Sequence, residues 1–317
     1  MSVAFPMFHG LSAFPITPAD AGGHVDATGL VRLVQNLAIA EVDSIGLLGS
    51  TGTYAYLSRA ERRRAIEAAA GCLGGQLPLI VGIGALRTDD AQALARDAAA
   101  AGASGLLLAP VSYTPLTEDE VFQHFVAVAG ATDLPLCIYN NPSTTHFTFS
   151  DALVERLASI SNIAAVKNPA PPAAEARGRH EALRARVPAT FAIGYSGDWN
   201  APAAILAGGD AWYSVVGGLL PKPTLRLLRA AQAGNEAEVS RCNANFQPLW
   251  DLFKELGSLR VIYAAAAILG SCRTDPPKPI LPLPHAACQR VAAALELLDD
   301  GDRQPRLTPD EETSLQS

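Results

Sequence analysis

Short runs of apolar residues alternate with longer amphipathic stretches along most of the chain. The runs are apolar on both strand faces, a pattern typical of parallel strands that are covered on both sides. There are eight of them: Leu11–Ile16, Ser44–Leu48, Leu77–Ile83, Gly105–Ala109, Leu134–Tyr139, Ile163–Lys167, Thr190–Gly194 and Ala211–Val216. Eight strands that alternate with helices predict an α/β fold, a closed (β/α)8 TIM barrel.

Helix start signals follow several of these strands. Ser58 and Glu61 have the spacing of a capping box, as have Thr117 and Glu120, and Thr88 precedes two aspartates. A doubly wound open sheet is the alternative fold. The first strand, however, lacks the GxGxxG turn typical of such sheets, so the barrel is favoured.

More helix follows the last strand than one barrel repeat requires. Helical patterns cover 221–233, 236–256, 259–269 and 285–298. The predicted organisation is therefore a catalytic barrel over residues 1–225 and a C-terminal helical region over 226–300. Residues 301–317 are polar and acidic, which predicts a disordered tail.

Composition excludes several classes of function. The chain has 317 residues, 49% of them apolar, and a net charge of −7, so it can bury a large core and offers no basic footprint for nucleic acid. Its basic cluster, Arg62–Arg64, is typical of a solvated helix face. No membrane-spanning run or signal-peptide pattern is evident, and five cysteines without a CxxC pair favour a reducing, cytoplasmic location without structural zinc.

Lysine is rare in this chain, which has only four lysines against 20 arginines. Lys167 is the only lysine in the first 221 residues, and it ends an apolar strand rather than lying on a charged helix face. An amine, unlike a guanidinium, can form a Schiff base, and an apolar environment favours its neutral, nucleophilic form. A solvated lysine at a strand end is the plainer interpretation.

Reactive groups follow three of the predicted strands at the rim where barrel enzymes carry their active sites. Gly49–Gly52 reads Gly-Ser-Thr-Gly, Tyr139 ends strand five, and Lys167 ends the neighbouring strand six. An iminium formed by Lys167 with a 2-oxo acid would be an electron sink, and the Tyr139 hydroxyl could shuttle its protons. Hydroxyl and backbone N–H groups of the turn could bind the carboxylate of the acid.

The segments GLLGSTGTYAYLSRAER, ASGLLLAP, FQHF, LPLCIYNNP and IAAVKN resemble the dihydrodipicolinate synthase and N-acetylneuraminate lyase family of pyruvate-type class I aldolases. The resemblance implies a lyase that acts on pyruvate or a related 2-oxo acid, and on an aldehyde as well. It implies no cofactor beyond the lysine imine, and a homotetramer built as a dimer of dimers.

The resemblance also implies roles for individual residues. Lys167 would be the Schiff-base lysine and Tyr139 the proton relay. Ser50 and Thr51, with Gly49, would hold the carboxylate and link to the tyrosine. Tyr113, in the loop after strand four, would reach across a dimer interface into the partner's site.

Three positions depart from the family pattern. Thr53 replaces the usual Glu after the Gly-Ser-Thr-Gly turn, and Thr144, a candidate substrate contact, replaces the arginine that meets a carboxylated aldehyde in the lysine-biosynthetic enzymes. His146 occupies a usual glycine position. It could contact the substrate at the barrel mouth, but an exposed loop histidine is the commoner case. With Asn140, Asn141 and Asn168 at the rim, these changes favour an uncharged second substrate.

Other functions stay open at this level. A dehydratase acting on a 2-oxo-3-deoxy sugar acid would use the same residues and differ only in the bond that breaks. A non-catalytic barrel that binds a keto acid would need no nucleophilic amine. A metal-dependent aldolase is disfavoured because the six histidines show no HxH or HxxxH pairing, so we expect no metal site.

Overall fold

A computed structural model describes residues 5–298. Its eight parallel strands close into a barrel in which each strand pairs with the next along the chain and β8 pairs with β1. The strands are β1 (Gly10–Ala13), β2 (Ser44–Leu47), β3 (Leu79–Gly82), β4 (Gly105–Leu108), β5 (Leu136–Tyr139), β6 (Ile163–Pro169), β7 (Ala192–Ser196) and β8 (Ala211–Ser214). The predicted TIM barrel is confirmed.

Twelve α-helices lie within residues 5–298. They are α1 (Ala27–Ile39), α2 (Arg59–Leu73), α3 (Thr88–Ala100), α4 (Glu118–Ala129), α5 (Pro142–Thr145), α6 (Asp151–Ala158), α7 (Ala173–Arg184), α8 (Ala201–Leu206), α9 (Pro221–Gln232), α10 (Glu236–Leu256), α11 (Ser258–Ile268) and α12 (His285–Glu296). Helices α10 to α12 form the predicted C-terminal extension. None of these helices is long and apolar enough to cross a membrane.

The two predicted capping boxes differ in how completely they form. Thr117 caps α4 in a complete capping box with Glu120. Ser58 accepts the backbone N–H of Glu61 at the start of α2, but the Glu61 carboxylate instead accepts the N–H of Val25, at 2.7 Å. The second capping box is therefore only half formed, because the glutamate carboxylate makes a tertiary hydrogen bond instead of the local one.

Large side chains fill a barrel whose wall is rich in small residues. Phe8, Phe14, Ile80, Leu107 and Tyr213 pack together inside it with alanines of β6, β7 and β8. The rings of Phe14 and Tyr213 fit because Gly46 of β2 and Gly194 of β7 have no Cβ that would meet them. The interior is therefore closed below the site, as barrel interiors generally are.

The C-terminal helices share one hydrophobic core with the outer face of the barrel. Phe246 and Trp250 of α10 stack with ring centroids 4.7 Å apart, and both belong to the cluster that contains the barrel helices. Tyr263 of α11 lies beside Thr53, next to the Gly-Ser-Thr-Gly turn, where burial raises its pKa to about 12. The domain boundary at 225 stays a prediction, and the predicted tail at 301–317 lies outside the described residues.

Candidate active site

Lys167 and Tyr139 lie side by side at the carboxyl ends of β6 and β5. They are partners in the strand register, and the Lys167 Nζ is 4.2 Å from the centroid of the Tyr139 ring. The lysine side chain is only 4% exposed. A buried amine next to a phenol is the arrangement that the neighbouring strand ends predict.

The Tyr139 hydroxyl is held by two polar side chains. Asn141 Nδ2 donates to it at 2.9 Å, and Ser50 Oγ lies 3.2 Å away on its other side. Because the amide can only donate here, the phenolic proton is free to point toward Ser50 or toward a substrate. The sequence predicts Asn141 only as part of a neutral rim, and the structure adds its contact with Tyr139.

The Gly-Ser-Thr-Gly turn is flanked by two residues in the left-handed region. Leu48 has φ 57° and Thr53 has φ 52°, conformations that cost a residue with a side chain about 1–3 kcal/mol. Gly82 on β3 lets the turn approach, because a Cβ there would lie 1.9 Å from the Leu48 carbonyl oxygen. The surrounding structure therefore fixes the position of Ser50 and of Thr51, which is buried.

Aromatic rings and a thiol surround the lysine. Its Nζ lies 3.8 Å from the ring centroid of Phe14 and 5.6 Å from that of Tyr213. The Tyr213 hydroxyl is 3.5 Å from the Sγ of Cys137, and burial raises the pKa of that thiol to about 12. The lysine is thus buried in largely aromatic surroundings.

A buried carboxylate lies in the loop after β7, in contact with Trp212 of β8. Asp198 accepts the indole N–H of Trp212 at 2.8 Å and the backbone N–H of Val216 at 2.8 Å. Burial raises its pKa, and the charge of Lys167 acts in the opposite direction. Sequence patterns did not single out Asp198, because its partners come from β8 and the segment after it.

The remaining rim residues have distinct surroundings. Asn140 Nδ2 donates to Asn168 Oδ1 at 3.0 Å, so these two amides join β5 to β6. Thr144 is exposed, and its hydroxyl donates to the Asn141 carbonyl. His146 is exposed, as expected, and takes the left-handed conformation with φ 55°.

Tyr113 and Arg62 contrast in exposure. Tyr113 is 96% exposed in the loop after β4 and does not enter the site of its own chain.

Arg62 is predicted to lie on a solvated face, but its side chain is only 8% exposed. Its Nη1 donates to the Gly84 carbonyl, and its guanidinium lies 5.0 Å from the Tyr54 ring centroid. That expectation was wrong for Arg62, because α2 turns this side chain toward the rim.

Among residues 5–298, no cluster of three or more His, Cys, Asp or Glu side chains is placed to hold a metal ion. The prediction that the chemistry uses no cofactor stays a prediction.

Sequence and structure comparisons find relatives over nearly the whole described chain. A sequence model of the dihydrodipicolinate synthetase family matches residues 7–298. The 4-hydroxy-tetrahydrodipicolinate synthase of Methylococcus capsulatus is 34% identical over 264 residues, which cover 81% of this chain and 88% of that protein.

Two crystal structures have a similar fold. The dihydrodipicolinate synthase of Agrobacterium tumefaciens superposes with a TM-score of 0.91 at 64% identity, covering 92% of this chain and 98% of that one. The enzyme of Acinetobacter baumannii, complexed with pyruvate, superposes with a TM-score of 0.83 at 28% identity, covering 92% and 99%.

Fold and relatives together define a class I aldolase, a lyase that acts on pyruvate or a related 2-oxo acid. The chain belongs to the dihydrodipicolinate synthetase family. The predicted family and class of enzyme are confirmed.

Proposed function

We propose that Lys167 forms the Schiff base and that Tyr139 carries protons to and from the adduct. The observation that carries this proposal is the pairing of a buried Lys167 amine with a phenol that Asn141 and Ser50 hold at the same depth. A lysine at a strand end that only extended its charge into solvent would not be enclosed in this way.

The reaction begins when the lone pair of Nζ attacks C2 of the 2-oxo acid. The carbonyl oxygen takes up two protons through Tyr139, one of them released by the attacking nitrogen, and leaves as water, which gives the iminium. Loss of a proton from C3 to the Tyr139 relay then gives an enamine. Its carbon attacks the carbonyl carbon of an aldehyde to form the new C–C bond, while the aldehyde oxygen takes up that proton. Hydrolysis of the resulting iminium releases the product and restores the amine.

The turn supplies the anchor for the carboxylate of the acid. Ser50 and Thr51 follow Gly49 at the end of β2, and Ser50 also contacts the Tyr139 hydroxyl. Hydroxyls and backbone N–H groups at such a turn bind carboxylates without a cation. One end of the substrate is thereby fixed at the turn while C2 lies against Lys167.

The second substrate in this proposal is uncharged. Thr144 and Thr53 offer no positive charge, and Arg62 is already engaged by Gly84 and Tyr54. A buried carboxylate that loses a charge-assisted pair loses about 1.5–3 kcal/mol, or about 10- to 150-fold in binding. Aspartate semialdehyde is therefore a poor substrate compared with neutral hydroxyaldehydes.

Assembly and location complete the proposal. Tyr113, Leu86 and Tyr56 are exposed apolar side chains on the loops after β4, β3 and β2, which are adjacent at the rim. A homodimer that covers them and places Tyr113 in the partner's site, paired further into a tetramer, accounts for this exposure. The five cysteines are all free thiols, in keeping with a reducing cytoplasm.

Borohydride trapping tests the roles of the residues. Pyruvate with borohydride should add one reduced adduct per chain at Lys167, located by peptide mass spectrometry. The exposed Lys222, Lys254 and Lys278 are internal controls. Lys167→Ala should abolish trapping and turnover while the far-ultraviolet circular dichroism stays unchanged, and an adduct at one of the control lysines would contradict the assignment.

A substrate panel tests the second substrate and the bond that breaks. Turnover is compared for pyruvate with aspartate semialdehyde, pyruvate with neutral hydroxyaldehydes, and 2-oxo-3-deoxy sugar acids alone. Preference for the last set with release of water would establish the dehydratase. A specificity constant for aspartate semialdehyde above every other substrate would show that our interpretation of Thr144 is wrong.

A further inference from the structure

We infer that Tyr263 of α11 is a positioning residue for substrate binding. Through Thr53 it fixes the four-residue turn 50–53, whose hydroxyls bind the carboxylate of the oxo acid in the proposed function, on which this role rests. Tyr263 belongs to the C-terminal helices rather than to the barrel strands.

Thr53 closes the turn that carries Ser50 and Thr51. Its backbone N–H donates to the Ser50 carbonyl at 3.1 Å, the bond between the first and fourth residues of a β-turn. Its own carbonyl accepts the N–H of Tyr56 at 2.9 Å. Because Thr53 is held from both sides, a shift of its backbone also shifts Ser50.

The backbone of Thr53 is in a conformation that suits glycine better. Its φ and ψ are 52° and 32°, in the left-handed region, which is unfavourable for a β-branched residue. Such a residue persists only where the surrounding structure fixes it, and these positions cluster at functional sites. A partner that holds the Thr53 side chain is therefore expected.

Tyr263 is this partner. The side chains of Thr53 and Tyr263 are both buried, each 4% exposed. Burial raises the pKa of Tyr263 to about 12, and a hydrogen bond with the Thr53 side chain acts in the opposite direction. Two buried hydroxyls thus satisfy one another, and removal of either one leaves the other unpaired.

The chain that follows α11 approaches the same turn. Thr274 Oγ1 donates to the Ala19 carbonyl at 2.8 Å, in the loop after β1. Thr17 of that loop packs on the turn, because a Cβ on Gly52 would lie 3.0 Å from Thr17 Oγ1. The C-terminal region therefore lies behind the turn, and Tyr263 contacts it directly.

Loss of the Tyr263 hydroxyl should act on binding and not on the later chemistry. Without its partner, Thr53 can leave the left-handed conformation, and only a fraction of the molecules then presents the turn that binds the carboxylate. Apparent affinity falls in proportion to that fraction. In the occupied site the bound carboxylate holds the turn, so the saturated complex reacts as in wild type.

Borohydride trapping at Lys167 over a range of pyruvate concentrations measures both quantities. Tyr263→Phe should raise the half-saturating pyruvate concentration about 2- to 13-fold, the range of one neutral hydrogen bond, and leave the plateau rate unchanged. Thr53→Val should have the same effect. Thr53→Ser, which keeps the hydroxyl, should bind pyruvate as wild type does.

Tyr195→Phe is the matched control. It also removes one buried phenol hydroxyl, which lies 3.2 Å from His180 Nδ1 on β7, away from the turn. It should lower the urea midpoint and leave both trapping parameters at their wild-type values. An equal rise of the half-saturating concentration in this control would show general loosening of the fold and would overturn the role of Tyr263.

The failures of the two proposals are distinguishable. A half-saturating concentration that neither Tyr263→Phe nor Thr53→Val changes overturns the positioning role and leaves the Schiff base intact. Absence of trapping at Lys167 in the wild type overturns the proposed function itself.

Urea unfolding tests the contact without substrate. Thr53→Val should lower the urea midpoint of the wild type and have little further effect in the Tyr263→Phe background, because the hydrogen bond is already lost there. Equal decreases in the two backgrounds would show that Tyr263 does not act on Thr53, whatever the trapping result.

Discussion

The contact between Asn141 and Tyr139 predicts a residue that acts on catalysis only through its neighbour. Asn141→Ala removes the amide that donates to the Tyr139 hydroxyl at 2.9 Å and leaves the strand pairing of Tyr139 in place. One neutral hydrogen bond contributes about 0.5–1.5 kcal/mol. If the loss of this hydrogen bond raises the activation free energy of proton transfer by the same amount, kcat should fall about 2- to 13-fold.

A double-mutant cycle makes the prediction specific. With Tyr139→Phe the amide has no hydroxyl to orient, so Asn141→Ala should have no further effect on kcat in that background. Ser143→Ala is the matched control, because it removes only the 2.8 Å hydrogen bond that the Ser143 hydroxyl donates to Oδ1 of the Asn141 side chain and leaves the Nδ2 donor to Tyr139 in place. That substitution should change kcat by less than about twofold, as expected of a surface site.

The assay follows aldol turnover with pyruvate under saturating conditions, with trapping at Lys167 as a check on imine formation. An equal loss of kcat from Asn141→Ala in the wild-type and Tyr139→Phe backgrounds would refute the reasoning. It would mean that Asn141 contacts the substrate directly or supports the loop, and that the phenol needs no partner to hold it.

Other predictions concern the relay, pH and the turn. Tyr139→Phe should lower kcat by about 10²–10⁴-fold with a smaller effect on KM, whereas a tyrosine that only packs would leave both near wild type in steady-state kinetics. Burial holds the pKa of His180 below its unfolded value of 6.5, so its contribution to stability is present above pH 6.5 and is lost as pH falls through the folded pKa. Urea midpoints at pH 7.5 and 5.5 should differ less in His180→Asn than in wild type, and an equal difference would argue against this residue. Gly82→Ala should destabilise the fold by about 1–3 kcal/mol, because its Cβ would meet the Leu48 carbonyl, while Gly178→Ala on open helix surface should stabilise it by about 0.5–1 kcal/mol in thermal unfolding.

Strand and helix placement could be predicted because each element carries its own local signal. The run Ile163–Lys167 is apolar and ends in the only lysine of the first 221 residues, which is enough to place Lys167 at the rim. The side chains of the barrel interior could not be predicted in this way. When a strand is apolar on both faces, its sequence does not show which side chains point inward. Phe14 and Tyr213 therefore could not be assigned to the surroundings of Lys167.

Contacts between distant segments were also beyond local patterns. The helix periodicity places Arg62 on a side of α2 that the Tyr54 ring covers. Tyr54 belongs to the loop after β2, and the path of that loop cannot be predicted from the sequence. Glu61 has the spacing of a capping residue, yet its carboxylate accepts the backbone N–H of Val25 instead. In each case a tertiary partner overrides a preference that the sequence expresses locally.

The position of Tyr263 beside Thr53 has a consequence for how the enzyme is made. The turn that holds Ser50 and Thr51 leaves the ribosome early, but α11, which supports Thr53, is synthesised after all eight strands are complete. During translation the nascent barrel therefore carries its lysine, its tyrosine and its turn before the last support of that turn exists. We therefore expect activity only after α11 has emerged, because a chain that ends before α11 has the residues for catalysis but lacks the Tyr263 contact to Thr53.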